Sequence, residues 1–323
     1  MTLVTDPSLR LQKRPVLLFG KAEFALLGIT MLWGTTFLIV QTALTDSGPL
    51  FFVGLRFGTA FLISLLVART SLKKLSWMEV GAGSAIGFGI FIGYSLQTWG
   101  LKYIPSSTSA FITAAYVPLV PLLQWLILRK KPHLMSWIGV IFAFCGLLLL
   151  AGPQPGMVLG RGELMTLIST LAIAIEIVLI SRWAGRVDAV RVTVVQLGAT
   201  SLFAFAAMAP AAEKVPHLSG LLVLCACGLG LMSALIQLVM NWAQRTVSAT
   251  RATLIYAGEP LWAGIVGRVA GERLPGTAFL GAMLIVAGVI VSEIRFRSMR
   301  KSGSTGPGHL DPAIAGSAEG VGQ

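Results

Sequence analysis

The stretch WIGVIFAFCGLLLL, from Trp137 to Leu150, runs without a charge, an amide or a hydroxyl. A membrane β-barrel alternates apolar and polar side chains within segments of about 10 residues. This stretch does not alternate, so its backbone amides are expected to pair within a helix, the other structure that lipid tolerates. Working outward, comparable runs recur along most of the chain. The 323 residues are 55% hydrophobic and 12% charged, with a mean hydropathy of +0.81. A water-soluble domain of this size needs a more charged surface, so a lipid bilayer is the expected partner.

One span takes about 20 apolar residues in a helix. That rule places spans at 24–43, 50–68, 78–98, 108–128, 136–152, 163–181, 192–210, 219–240, 249–269 and 277–294. The loops are short and several open on Gly or Pro, as at Ser47-Gly48-Pro49 and Ala151-Gly152-Pro153. A polar, basic segment precedes the first run, which ends without a small-residue cleavage site, so an uncleaved first helix is expected. The organisation read from the chain is a cytoplasmic segment 1–22, five-helix units at 23–152 and 161–294, and a disordered, Gly- and Ser-rich cytoplasmic tail at 295–323.

The charges test this topology. Alternating the loops across the membrane gives one side nineteen of the 25 Lys and Arg residues, including Lys73, Lys74, Arg129, Lys130 and Lys131. The other side receives five, Lys102, Arg161, Lys214, Arg268 and Arg273, and Arg56 falls inside the second span. Such a bias predicts an even number of spans and both termini in the cytoplasm of a bacterial-type inner membrane. The net charge of +12 is spread between spans, which argues for topology and against a nucleic-acid partner. Cys145, Cys225 and Cys227 lie in apolar runs without metal-ligand spacing and read as small packing residues. No cofactor or metal is expected, and no phosphate-binding Gly-rich loop is present to use ATP.

The two halves repeat. Trp99-Gly100-Leu101-Lys102 aligns with Trp242-Ala243-Gln244-Arg245 at an offset of 143. At 142, Pro118 meets Pro260, Lys131 meets Arg273, Gly139 meets Gly281 and Gly146 meets Gly288. Five spans per unit is odd, so the second unit crosses in the opposite sense. The expected fold is all-α and integral to the membrane: ten transmembrane helices as an inverted 5+5 repeat. Repeats of this kind mark secondary transporters, with the substrate near the midplane.

Several segments in this order resemble the drug/metabolite transporter superfamily, specifically its EamA-type members. They are Leu32-Trp33-Gly34-Thr35-Thr36-Phe37, Pro49 to Arg56, Leu101-Lys102-Tyr103-Ile104-Pro105-Ser106-Ser107, Glu259-Pro260-Leu261-Trp262 and Gly271-Glu272-Arg273-Leu274. The resemblance spans roughly 24 to 294 and implies ten helices, a central cavity and export of amino acids or related metabolites. The first half departs from the pattern, with Arg129-Lys130-Lys131-Pro132 where the second has Gly271 to Leu274.

Ionisable groups within a bilayer face a cavity, a partner or a function. Three lie inside spans: Arg56, Glu176 and Glu259. Arg56 sits about one turn in and is expected to snorkel to the surface in a structural role. Glu176 aligns with Thr35 at an offset of 141, which favours function. Glu259 precedes Pro260, which is expected to kink the ninth span; a substrate or proton site and a structural partner in the kink are both open. Tyr94, Gln97, Gln237 and Asn241 cluster at matching places in the two halves, where ligand binding or interhelical hydrogen bonds would account for them. Trp33, Tyr116, Tyr256 and Trp262 would wall a substrate or belong to an aromatic belt at the interface. Glycines four apart, at 54/58, 83/87, 89/93 and 267/271, are expected to let helices approach closely.

The site residues expected from sequence are therefore Trp33, Tyr94, Gln97, Tyr116, Glu176, Gln237, Asn241, Tyr256 and Glu259, contacting a small-molecule substrate. No His or Asp lies within a span, so an intramembrane enzyme is not expected. The expected activity is secondary export of amino acids or related small metabolites by alternating access. The alternative is a proton-coupled exporter of organic cations or drugs.

Overall fold

A computed structural model describes residues 20–151, 160–271 and 276–293. The expected tail, most of the N-terminal segment and the corner from Glu272 to Leu274 lie outside the described residues. Among those described, the fold is helical with no strand. The helices are α1 (Lys21–Ala43), α2 (Pro49–Ala68), α3 (Trp77–Gly100), α4 (Ser106–Thr113), α5 (Tyr116–Leu128), α6 (Leu134–Ala151), α7 (Arg161–Trp183), α8 (Ala189–Met208), α9 (Gly220–Ala243), α10 (Ala249–Tyr256), α11 (Glu259–Val269) and α12 (Ala278–Glu293).

Local chemistry sets the helix starts. Pro49 opens α2 with its φ already helical and no N–H to strand. Ser76, Asp188, Ser219 and Ser248 accept from first-turn amides of α3, α8, α9 and α10. The outer surface is apolar: Leu66 is 73% exposed, Leu224 71% and Phe279 77%. Buried among the helices, by contrast, are Glu176, Gln196, Gln237, Asn241 and Glu259. A bundle with an apolar exterior and charged and amide groups held inside has lipid as its solvent, and the chain is a multi-pass membrane protein.

Among the described residues, seven spans are long and apolar enough to cross a bilayer: α1, α2, α3, α4 with α5, α7, α8 and α9. Shorter apolar helices occupy Leu134–Leu149 and Phe279–Val291. The remaining expected span is split into α10, of 8 residues, and α11, of 11 residues. The expected kink before Pro260 is a full interruption at Ala257–Gly258, with Pro260 in the first turn of α11. The same interruption occurs in the first half, at Ala114–Ala115, with Pro118 in the first turn of α5.

Packing follows the repeat. Helix α3 lies on α7 and α8, and α9 lies on α1 and α2. The half-helix α4 packs on α11, and α10 packs on α5. Helices α2 and α8 pair with each other, as do α6 and α12. Each of these contacts maps onto another, or onto itself, when the halves are exchanged. The α6–α12 contact shows why: a Cβ at Gly146 would stand 2.6 Å from the Gly281 carbonyl, and one at Gly288 would stand 2.6 Å from that of Gly139. All four are repeat-matched glycines. Gly83 and Gly87 likewise meet Val195 and Gln196, whereas Gly271 ends α11 with a positive φ of 97° and meets nothing. Of the cysteines only Cys225 is buried; Cys145 and Cys227 are exposed, not packed as expected.

Candidate functional site

The two helix breaks meet in the middle of the bundle. Tyr116 begins α5 and Glu259 begins α11, and the Tyr116 hydroxyl donates to Glu259 Oε2 at 3.1 Å. Helix starts carry unpaired amides and a positive dipole end, so a carboxylate is well placed there. Gly34 lets α1 lie directly on this corner, since a Cβ at that position would come within 2.9 Å of the Glu259 carbonyl oxygen. Glu259 Oε1 is buried with no hydrogen-bond partner in the protein.

Glu176 on α7 is the second buried carboxylate. Its Oε1 accepts from Gln237 Nε2 at 2.8 Å, while Oε2 is buried and unpartnered. Gln237 in turn accepts from Gln196 Nε2 at 2.7 Å, and Gln196 Oε1 accepts from Asn241 at 3.1 Å. Asn241 also donates to Thr193 at 3.1 Å and to the Gln237 carbonyl at 2.9 Å. The result is a relay through α7, α8 and α9 that orders one carboxylate oxygen and leaves the other free. Removing water from such a chain strengthens each link and raises the cost of breaking one.

Aromatic residues close the space between the carboxylates. Trp33 stands edge-on to Tyr256 with ring centroids 5.7 Å apart, and its indole lies beside the Tyr94 hydroxyl. Tyr94 is within electrostatic range of both Glu176 and Glu259. These rings are buried, and so belong to the interior and not to an interfacial belt. The exposed indoles are others: Trp77, Trp125 and Trp242, near helix ends. Trp262 is half-buried on α11.

The residues expected from sequence thus divide. Trp33, Tyr94, Tyr116, Glu176, Gln237, Tyr256 and Glu259 come together around this centre. Asn241 lies one turn along α9 and orders the relay. Gln97 is buried one turn along α3 and donates to Thr113 Oγ1 at 3.0 Å, tying α3 to α4. Two residues were misjudged or missed. Arg56 does not snorkel: it is 3% exposed, inside the bundle. Gln196, an amide in the middle of α8, was not singled out, although its type and depth carried the same signal as Gln237.

At one end of the bundle a cavity of about 500 Å³ is lined by Lys130, Arg182, Arg186 and Arg245 together with Gln124 and Gln244. Gln244 connects it to the centre through a long contact of 3.4 Å to the Tyr256 hydroxyl. Ion pairs Glu79–Arg191 (2.7 Å) and Glu23–Arg251 (2.9 Å) tie helices of the two halves at that end. At the opposite end Glu213 accepts from the amides of Leu50 and Phe51, and Ser219 donates to Asp46.

Comparison with known proteins agrees with this arrangement. The EamA-like transporter family matches twice, over residues 20–152 and 160–293. The chain is 27% identical over 279 residues to an uncharacterized transporter of Archaeoglobus fulgidus, covering 85% of this chain and 86% of that one. It is 26% identical over 282 residues to an uncharacterized inner membrane transporter of Escherichia coli, covering 85% and 90%. One solved crystal structure superposes with a TM-score of 0.69 at 18% identity, covering 84% of this chain and 97% of the other, which speaks for the fold. The chain belongs to the EamA-like transporter family.

Proposed function

We propose that this transporter is a secondary carrier that exports amino acids or related small metabolites by alternating access around the centre between its halves. The reading takes the protein as ten spans in an inverted 5+5 repeat, with α4–α5 and α10–α11 each forming one broken span. The exchange symmetry of the helix contacts supports it. Broken helices at the midplane are where carriers of this design place their substrates. The end bearing the basic loops and both termini then faces the cytoplasm of a bacterial inner membrane.

One observation carries the functional part of the reading. Glu176 and Glu259, 0% and 1% exposed, each hold one carboxylate oxygen unpartnered among aromatic walls. Buried carboxylates are retained at a cost, and a solute ammonium or a proton would offset it. The test is counterflow of a labelled amino-acid panel in proteoliposomes, with and without imposed pH and voltage gradients. Accumulation of at least one amino acid is expected; absence of flux for every solute would overturn the reading.

The same two carboxylates favour the second reading, proton-coupled export of organic cations. It predicts that Glu176→Gln or Glu259→Gln abolishes the pH dependence of cation efflux. Unchanged efflux and pH dependence in both variants would remove it.

A further inference from the structure

Among the described residues, Arg56 is the one charged side chain at the centre to which the proposed function gives no role. It lies in α2, facing α9, and its Nε donates to Ser233 Oγ at 2.7 Å. The guanidinium carbon is 5.2 Å from the Tyr94 ring centroid and 5.3 Å from that of Phe57. Tyr94 and Phe57 are themselves edge-to-face at 5.1 Å, so the guanidinium is held by a fixed aromatic pair. Among the described residues Arg56 makes no ion pair, and Ser233 is its one hydrogen-bond partner. Its two terminal nitrogens are left without an acceptor.

A buried cation with no anion beside it is costly, and a merely structural arginine at this depth would have a carboxylate or carbonyls around it. Aromatic stacking and the bond through Nε fix the plane of the guanidinium. The terminal nitrogens of such a fork match the two oxygens of a carboxylate. Tyr94 interacts electrostatically with Arg56, Glu176 and Glu259 alike. The centre therefore carries a positive group on α2 and negative groups on α7 and α11, all within electrostatic reach of Tyr94.

We propose that Arg56 is the anion subsite of the carrier: its terminal guanidinium nitrogens receive the carboxylate of a zwitterionic solute whose ammonium goes to Glu176 or Glu259. This rests on the carrier reading above and narrows it to α-amino acids with an apolar side chain, which Trp33, Tyr116 and Tyr256 would flank. An organic cation without a carboxylate would leave the positive pole unpaired.

The test uses purified full-length protein and the probes L-phenylalanine, phenethylamine and 3-phenylpropionate, with L-leucine and isoamylamine as a second set. Thermal unfolding is followed at matched concentrations. The wild-type protein should be stabilised by both amino acids and at least about tenfold more weakly by either amine, the loss of one charge-assisted pair. Arg56→Gln should lose the preference for the amino acid over the amine, and Arg56→Lys should keep part of it. The comparison of probes on wild-type protein stands even where a variant fails to fold. Equal stabilisation by amino acid and amine, no response to any carboxylate-bearing probe, or an Arg56→Gln protein that keeps the preference would each overturn the proposal. Counterflow of phenethylamine without counterflow of phenylalanine would sink the Arg56 subsite and leave a carrier standing; no flux or binding of any probe would sink both.

Discussion

The two halves share a scaffold and divide the chemistry. Glu176 stands where the first half has Thr35, Gln196 where it has Leu55, and Glu259 where it has Val117. In return the first half offers Arg56 where the second has Leu197, and Tyr94 where the second has Gln237. Backbone features follow the opposite rule. Pro118 and Pro260 and the four glycines of α6 and α12 are kept at an offset of 142, and the helix breaks at 143. On the carrier reading proposed above, the symmetry would serve movement of one half against the other, and the asymmetry would give the centre a polarity for a solute to read.

The relay in the second half should be the most sensitive place to break this contrast. Gln196→Leu removes the donor to Gln237 Oε1 and the acceptor of Asn241 Nδ2. Asn241 keeps Thr193 and the Gln237 carbonyl, but Gln237 Oε1 is stranded at about 1–3 kcal/mol, so the unfolding temperature should drop. Leu55→Met, at the matching place in the first half, changes volume little and is expected to cost under about 1.5 kcal/mol. Equal losses would mean that the polar asymmetry has no structural consequence.

The glycine seam probes the symmetric side of the comparison. Gly146→Ala and Gly288→Ala each push a methyl to within 2.6 Å of a backbone carbonyl on the partner helix. Both should destabilise, by about 1–3 kcal/mol, and by similar amounts because the two contacts mirror each other. A large loss at one position alone would show that α6 and α12 are not equivalent.

A smaller effect on stability, but a specific one on transport, is expected from Glu176→Gln. Glutamine keeps an oxygen able to accept from Gln237, so unfolding should change little. Transport should fall at least about tenfold, the equivalent of one charge-assisted hydrogen bond. Thr35→Val is the control in the first half, since among the described residues the Thr35 hydroxyl bonds only the Leu32 carbonyl of its own helix. Counterflow that falls as far in Thr35→Val would remove the distinction between the halves.

How much of this was legible in the sequence depends on whether the signal is local. Continuous apolar runs and Pro260 announce helices and a break, because the bilayer and the proline ring act on the segment itself. Tyr116 and Glu259 were each visible as candidates, yet their contact joins residues 143 apart and is a product of packing. Arg56 was misjudged for a related reason. Snorkelling and burial look alike one turn from an estimated span boundary, and the difference is decided by Phe57, Tyr94 and Ser233, from three helices. Gln196 needed no tertiary knowledge: an amide in mid-span is rare enough to be flagged by its own position.

The bundle ends give the smallest predicted effect and a last comparison. Asp46 and Ser219 in one end correspond to Asp188 and Ser76 in the other, at offsets of 142 and 143. Where the first pair bonds directly, the second is bridged by Glu79, which also holds Arg191. The hydrogen bond from Ser219, with help from Thr45, keeps the Asp46 carboxyl below its usual 3.8. A carboxyl lowered in the folded state stabilises the fold above the unfolded value and ceases to do so as pH falls through the folded one. The Asp46 contribution should therefore be complete above about pH 4 and disappear only in stronger acid. Ser219→Ala should raise the Asp46 pKa, readable by isotope-edited spectroscopy of the carboxyl, and should slightly weaken the start of α9, which Ser219 also caps through Leu222. Because Asp46 sits half-buried in a loop at the end of the bundle, its carboxyl adds little to global stability. An unmoved Asp46 titration in Ser219→Ala would mean that the Ser219 hydroxyl does not hold the Asp46 carboxyl down.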